Sequence, residues 1–124
     1  MACRFTELVI DCQDHLLVGE FWAAVLGYQI VERNDRPDES SVKLRGPAGS
    51  GPTILAVRVP EPKTVKDRLH IDVSPTDRDR DAEVERIIGL GATRTDVGQG
   101  EHTWVVLADP EGNEFCVLSG REDP

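Results

Sequence analysis

The sequence predicts an α+β fold: two tandem βαβββ modules with pseudo-twofold symmetry, forming a curved mixed sheet with the helices on its outer face. Three observations carry this. The chain repeats itself at an offset of roughly 63 residues, so that Glu7-Leu8-Val9-Ile10-Asp11 lies over His70-Ile71-Asp72-Val73-Ser74 and Asp14 over Asp77. Allowing slips of one residue, Leu26-Gly27 falls over Leu90-Gly91, Gly46-Pro47-Ala48-Gly49 over Asp109-Pro110-Glu111-Gly112, and Ile54-Leu55-Ala56-Val57 over Phe115-Cys116-Val117-Leu118. Each copy also shows the same succession of period-two and period-3.6 apolar patterns. Two copies are too few for a solenoid, so the repeat reads as one internally doubled domain.

The elements follow in order. Residues 5–12 alternate, with Leu8, Ile10 and Cys12 on one side and Glu7, Val9 and Asp11 on the other, which predicts a half-buried strand. Asp14 stands where a helix N-cap belongs, and Leu17, Phe21, Ala24, Val25 and Tyr28 form a stripe of helical period that Gly27 closes. Strands are predicted at 28–31 and 41–44 around the polar turn 34–38, and at 54–59 after the Gly- and Pro-rich turn 46–52. Pro60 and Pro62 interrupt any ladder. The single domain 1–124 therefore divides into module one at about 5–59, a linker at 60–67 and module two at about 68–119. In the second copy a strand is predicted at 69–73, and a helix from near Asp77 to Gly91 with Val84, Ile87 and Ile88 as its stripe. Strands follow at 92–95, 102–108 and 114–118, the last two joined by a turn at Asp109-Pro110-Glu111-Gly112-Asn113. The alternating charges Asp77-Arg78-Asp79-Arg80-Asp81 read as a solvated helix start. The tail 120–124 is polar and short.

At 124 residues the chain has room for one real core. Fourteen Lys and Arg stand against 23 Asp and Glu, a formal charge of −9 that repels phosphate backbones and anionic lipid, so neither nucleic acid nor membrane is an expected partner. No signal-like apolar run opens the chain, and nowhere does an apolar stretch approach the ~18 residues of a membrane span. A cytoplasmic protein is expected. Its three cysteines lack any C-x-x-C pairing and read as free thiols.

Alternation also sorts the sheet faces. Leu8, Ile10, Val42, Leu44, Ile54 and Ala56, with Ile71, Val73, Val105, Leu107, Phe115 and Val117, are apolar as a helix-covered side requires. The opposite side is mixed: Glu7, Asp11, Lys43, Arg45, Leu55, His70, Asp72, Trp104 and Cys116. Directional polar groups set among apolar wall are what small-molecule sites are made of. A shared trough on this side is the expected site, with Asp11, Lys43, Arg45, Leu55, Asp72 and Trp104 as its ligand-binding residues.

The stretches Glu20-Phe21-Trp22-Ala23-Ala24-Val25-Leu26-Gly27-Tyr28, Val59-Pro60-Glu61-Pro62-Lys63 leading to Lys66-Asp67-Arg68-Leu69-His70-Ile71-Asp72, and Leu107-Ala108-Asp109-Pro110-Glu111-Gly112-Asn113-Glu114-Phe115-Cys116 resemble the vicinal oxygen chelate superfamily. Within it they are similar to the glyoxalase-like, bleomycin-resistance-type domains, over nearly the whole chain. The resemblance implies paired βαβββ modules, the order reached above from periodicity. It also implies, for metal-dependent members, one ligand on the first and one on the last strand of each module, typically histidine, glutamate or glutamine. Those positions fall on Glu7 and His70, and on Leu55 and Cys116. The resemblance implies homodimers as well, with modules pairing within or between chains.

Leu55 cannot ligate, so the expected cofactor is none; the alternative is a divalent ion on Glu7, His70 and Cys116, with Zn2+ favoured if the thiol ligates. The first functional reading is binding or sequestration of a metabolite or drug-like ligand. Its alternatives are a metal-dependent lyase or isomerase of glyoxalase type with Glu7 as base, or a metal-free acid–base enzyme using Glu7 and His70 as catalytic groups. A third is a domain that mainly associates with itself or another domain. Plainer readings stand beside these: His70 as a polar residue paired with Glu7, Cys116 as a small buried apolar group, Asp72 as a satisfied strand-end carboxylate, and Trp104 as packing. Trp22 reads as core or interface, and His15 and His102 as surface or turn residues.

Overall fold

A computed structural model describes residues 2–95 and 104–119 of the chain. They divide into two compact units, Met1–Pro62 and Lys63–Pro124.

In the first unit β1 (Glu7–Cys12) alternates as its sequence does, with Val9 and Asp11 exposed and Cys12 buried. Asp14 ends the strand connection and starts α1 (His15–Leu26), its carboxylate accepting the Leu17 N–H at 3.0 Å. Gly27 closes the helix in the left-handed conformation, φ 69°. Then come β2 (Gln29–Asn34), β3 (Ser41–Arg45) and β4 (Thr53–Arg58), in the sheet order β1-β4-β3-β2. β1 runs parallel to β4 and the other pairs are antiparallel, a mixed sheet. α1 packs on β3 and β4 and covers Val42, Leu44, Ile54 and Ala56, all buried.

The helix is turned relative to the stripe its sequence suggests. Val18, Gly19, Phe21, Trp22 and Val25 are buried, whereas Leu17 and Ala24 face outward. Leu16, Leu17 and Val18 are consecutive apolar residues, so hydrophobicity leaves the phase open by a position. Gly19 decides it: a Cβ there would lie 2.8 Å from Val42 Cγ1, so the helix backbone rests directly against β3. The mid-helix glycine costs helix propensity of about 1 kcal/mol and permits that approach. Tyr28 is buried too, its hydroxyl donating to the Pro52 carbonyl at 3.1 Å and pinning the 46–52 turn.

The second unit repeats the topology. β5 (Asp72–Val73), α2 (Arg80–Gly89), β6 (Thr93–Arg94), β7 (Trp104–Ala108) and β8 (Glu114–Leu118) form a sheet ordered β5-β8-β7-β6, with β5 parallel to β8. α2 packs against β8. Three details depart from the sequence reading. The strand expected over 69–73 is two residues long; Leu69 is exposed, and Ile71 contributes only its carbonyl, which accepts the Cys116 N–H at 3.0 Å. The helix begins at Asp79, whose carboxylate accepts the Ala82 N–H at 2.8 Å, because Asp77 is occupied by the Arg78 guanidinium at 2.9 Å. The helix ends at Gly89 with Leu90 as its cap, one position before Gly91. Val84 and Ile87 are buried as expected, and Glu83 is buried beside them, held by Arg86 at 2.7 and 3.0 Å. In the β7–β8 turn the buried Asp109 carboxylate accepts the N–H groups of Glu111 (2.9 Å) and Asn113 (3.0 Å) and the Asn113 side chain (2.9 Å). Gly112 supplies the positive φ of 90° that this turn requires.

His102, the first part of the strand expected over 102–108 and the tail lie outside the described residues. Among the described residues no helix is long and apolar enough to cross a membrane.

Phe21 is 3 % exposed and Leu17 45 % exposed on the same helix. Phe21→Ala is expected to cost about 3–5 kcal/mol in urea denaturation at unchanged m value, and Leu17→Ala less than about 1 kcal/mol.

Candidate functional site

In each unit the helix covers one sheet face, and period-two alternation leaves the other to the odd or even set of side chains. In the second unit that open face carries a row across three strands: Asp72 on β5 pairs with Cys116 on β8, which pairs with Val106 on β7. One step along, Trp104 pairs with Leu118, and one step the other way Ala108 pairs with Glu114. Trp104 is 40 % exposed at the start of β7. As a diagonal neighbour of Cys116 it lies roughly 7–8 Å from it, Cα to Cα.

His70, just before β5, turns its ring onto the same group: Nε2 lies 3.2 Å from Asp72 Oδ1. His70, Asp72 and Cys116 bring one ligand atom each to within 4.8 Å of one another, and among the described residues they are the one such group of three. Their acid–base state is set locally. Burial pushes the Cys116 thiol above its ordinary value; the Asp72 charge and the hydrogen bond the thiol donates to Asp72 push it further. Cys116 is therefore protonated at neutral pH and is no nucleophile by itself.

At the head of β8, Glu114 faces the same side. Its carboxylate accepts from Lys63 Nζ at 3.1 Å and from the Asp67 N–H at 3.0 Å, tying residues 63–67 to the strand. Burial raises the Glu114 carboxyl, and the Asp67 N–H and the Lys63 ammonium together outweigh it, leaving it below the usual range. Asp67 is raised, first by burial and then by the Glu114 charge.

The first unit has the same rows with different chemistry. Val9 pairs with Leu55, Leu55 with Lys43, and Lys43 with Glu32. Where the second unit sets Asp72 opposite Cys116, the first sets two hydrocarbons opposite each other. Lys43 Nζ is 3.2 Å from Glu32 Oε1, so its charge is matched within the sheet. Glu7 pairs with Thr53 and Asp11 with Val57 on this face, and Arg45 ends β3, exposed.

Of the residues singled out in the sequence, the structure thus joins His70 and Cys116 through Asp72. Glu7, Asp11, Lys43, Arg45 and Leu55 belong to the first unit. His15, given no role above, holds Asp35 at 2.8 Å, and that hydrogen bond together with Arg33 keeps the Asp35 carboxyl low. Lys63 and Glu114 were not anticipated: they are 51 positions apart, and neither carries a local signal of the other.

Compared with known proteins, residues 7–118 match the model of a family described as a glyoxalase-like domain. Solved structures similar in fold include the fosfomycin resistance protein FosX of Listeria monocytogenes, at TM-score 0.73 and 14% identity over 97% of this chain and 93% of that one. FosX of Mesorhizobium loti matches at 0.71 and 15%, over 97% and 94%. A glyoxalase/bleomycin resistance protein of Albidiferax ferrireducens matches at 0.62 and 22%, over 92% and 96%. Structures of the Listeria protein are complexed with Mn(II). No curated protein matches the chain.

Two outcomes follow from the local electrostatics. A carboxyl held low in the folded state contributes stability above its unfolded value and loses it as pH falls through the folded value. Glu114→Gln should therefore cost about 1–2 kcal/mol at pH 7 by denaturation, and the gap to wild type should narrow on acidification. Asp67 works in the opposite sense, its contribution being lost as pH rises through its raised value. In the second measurement, alkylation at neutral pH should label exposed Cys3 well before Cys116, and Asp72→Asn should speed labelling of Cys116 alone.

Proposed function

The chain belongs to the glyoxalase-like domain family, and on that premise we propose that it is a small-molecule-binding domain whose ligand lies on the open sheet face of the second module. The observation that carries this reading is the half-exposed Trp104 set one step from the His70, Asp72 and Cys116 group. An indole face gives a planar ligand a large contact at small entropic cost, and His70 with Asp72 gives it direction. Val106 and Leu118 supply apolar wall between them. A protonated Cys116 suits binding better than covalent chemistry. The fold neighbours named for fosfomycin and bleomycin resistance support a metabolite or drug-like compound as the ligand class.

A second reading, lyase or isomerase chemistry of glyoxalase type, is favoured by the same donor group and by the Mn(II) in the FosX structures. A divalent ion, when bound, would act as a Lewis acid toward a carbonyl or diol oxygen. The imidazole, carboxylate and thiol fit such an ion, and His70, Asp72 and Cys116 would hold it.

Thermal-shift screening against a metabolite and antibiotic set tests the first reading. A true ligand near 100 times its Kd should raise the melting temperature by on the order of 10 °C. The shift should be lost in Trp104→Ala and reduced in His70→Ala. A ligand that stabilises both variants as well as wild type would place binding elsewhere and end this reading.

A further inference from the structure

We infer that Glu114 and Lys63 are a positioning pair for the open face of the second module: by clamping residues 63–67 to β8 they set where His70 stands beside Asp72 and Cys116. What the placed imidazole serves rests on the binding reading; its placement does not.

The segment leading to His70 has no core of its own. Thr64, Val65, Lys66, Arg68, Leu69 and His70 are all exposed, Val65 at 74 % and Leu69 at 83 %. Burial therefore does not fix its path, and polar contacts must. Among the described residues, Glu114 is the side chain beyond this segment that hydrogen-bonds residues 63–69. Its two oxygens are divided between two donors, Oε2 accepting from Lys63 Nζ at 3.1 Å and Oε1 from the Asp67 N–H at 3.0 Å. The next tie comes at Ile71, whose carbonyl accepts the Cys116 N–H at 3.0 Å, followed by the ladder pair of Asp72 with Cys116. Glu114 and Cys116 are two places apart on β8 and so face the same side. Residues 68–70 span the gap between these two stations as an exposed arch. His70 is its last residue, with Nε2 3.2 Å from Asp72 Oδ1.

The first module shows what the clamp replaces. There β1 pairs with β4 at six positions, from Glu7 opposite Thr53 to Cys12 opposite Arg58. The ladder alone holds that strand. In the second module the parallel ladder keeps two positions, Asp72 opposite Cys116 and Val73 opposite Val117. Continued backward by two places, the same register would set His70 opposite Glu114, as Glu7 stands opposite Thr53. The ladder stops short of that station, and there the Glu114 carboxylate takes over the holding.

Cys116 reports on the arch, because Ile71 and Asp72 both bind it. Iodoacetamide labelling of the full chain at neutral pH, followed peptide by peptide by mass spectrometry, is the measurement, with exposed Cys3 as the internal reference. Labelling of Cys116 should run about two- to tenfold faster in Glu114→Gln and in Lys63→Met, the weight of one net hydrogen bond in an opening equilibrium. The two variants remove charges of opposite sign, so an effect exerted through ionisation of the thiol would move their rates in opposite directions. Lys63→Arg keeps a donor for the carboxylate and should label at the wild-type rate. Val84→Ala, a change in the buried face of α2, controls for lost stability alone and should leave the rate unchanged. His70→Ala should speed labelling in the wild-type background and add little in Glu114→Gln, since both act through one placement. Unchanged or opposite rates in Glu114→Gln and Lys63→Met, Lys63→Arg as fast as Lys63→Met, an equal gain in Val84→Ala, or full additivity with His70→Ala overturns the inference. A ligand screen that finds nothing would remove the binding reading and leave these rates, and the positioning pair, standing.

Discussion

The parallel pairing of the first and last strands within each module is the constraint from which the remaining structure follows. β1 beside β4 and β5 beside β8 bring together residues far apart in sequence and fix which of them share a face. A slip of one residue would carry Ile54 and Ala56, or Phe115 and Val117, from under the helix to the open side. Burial of those side chains therefore holds the register. The same register holds Asp72 against Cys116, so the core that stabilises the module also positions its polar group. The helix covers one face, and chemistry is left to the other.

Doubling the architecture did not double the chemistry. Val9, Leu55, Lys43 and Glu32 occupy in the first module the row that Asp72, Cys116 and Val106 occupy in the second. The first row is apolar at the parallel pair and charged on β3 and β2; the second is polar at the parallel pair and apolar on β7. β1 is correspondingly a six-residue strand, whereas β5 keeps two residues of ladder. Glu114 offsets part of that loss by tying residues 63–67 to β8. A short strand held by side chains is easier to deform than a full ladder.

The residues differed in how much of this they announced. Asp14, Gly27 and the Asp109 to Asn113 turn were legible because each acts on its own neighbours, through a cap or a turn. Alternation sorted the faces of β3, β4 and β8 for the same local reason. The phase of α1 was not legible: three adjacent apolar residues allow two answers, and the choice is made by Gly19 meeting Val42 on another element. Asp77 and Asp79 are both good caps, and only the Arg78 contact separates them. For the site, His70 and Cys116 could be named from the sequence. That Asp72 is the group between them required the parallel register.

A shared fold at 14–22% identity does not carry a reaction with it, because function resides in a few side chains at fixed stations. The stations here are the ends of the parallel pair, and what stands at them decides the outcome. A carboxylate opposite a thiol, with an imidazole at 3.2 Å, is a soft and partly protonated group. A pair of carboxylates at the same stations would be hard and anionic, and would repel each other until a cation arrived. The thiol removes that repulsion, so this face holds together as a hydrogen-bonded set with no ion required, and the neutral ligand proposed beside Trp104 would meet it in that state. Cys116, rather than the fold, is therefore the residue that sets the acid–base character of this face.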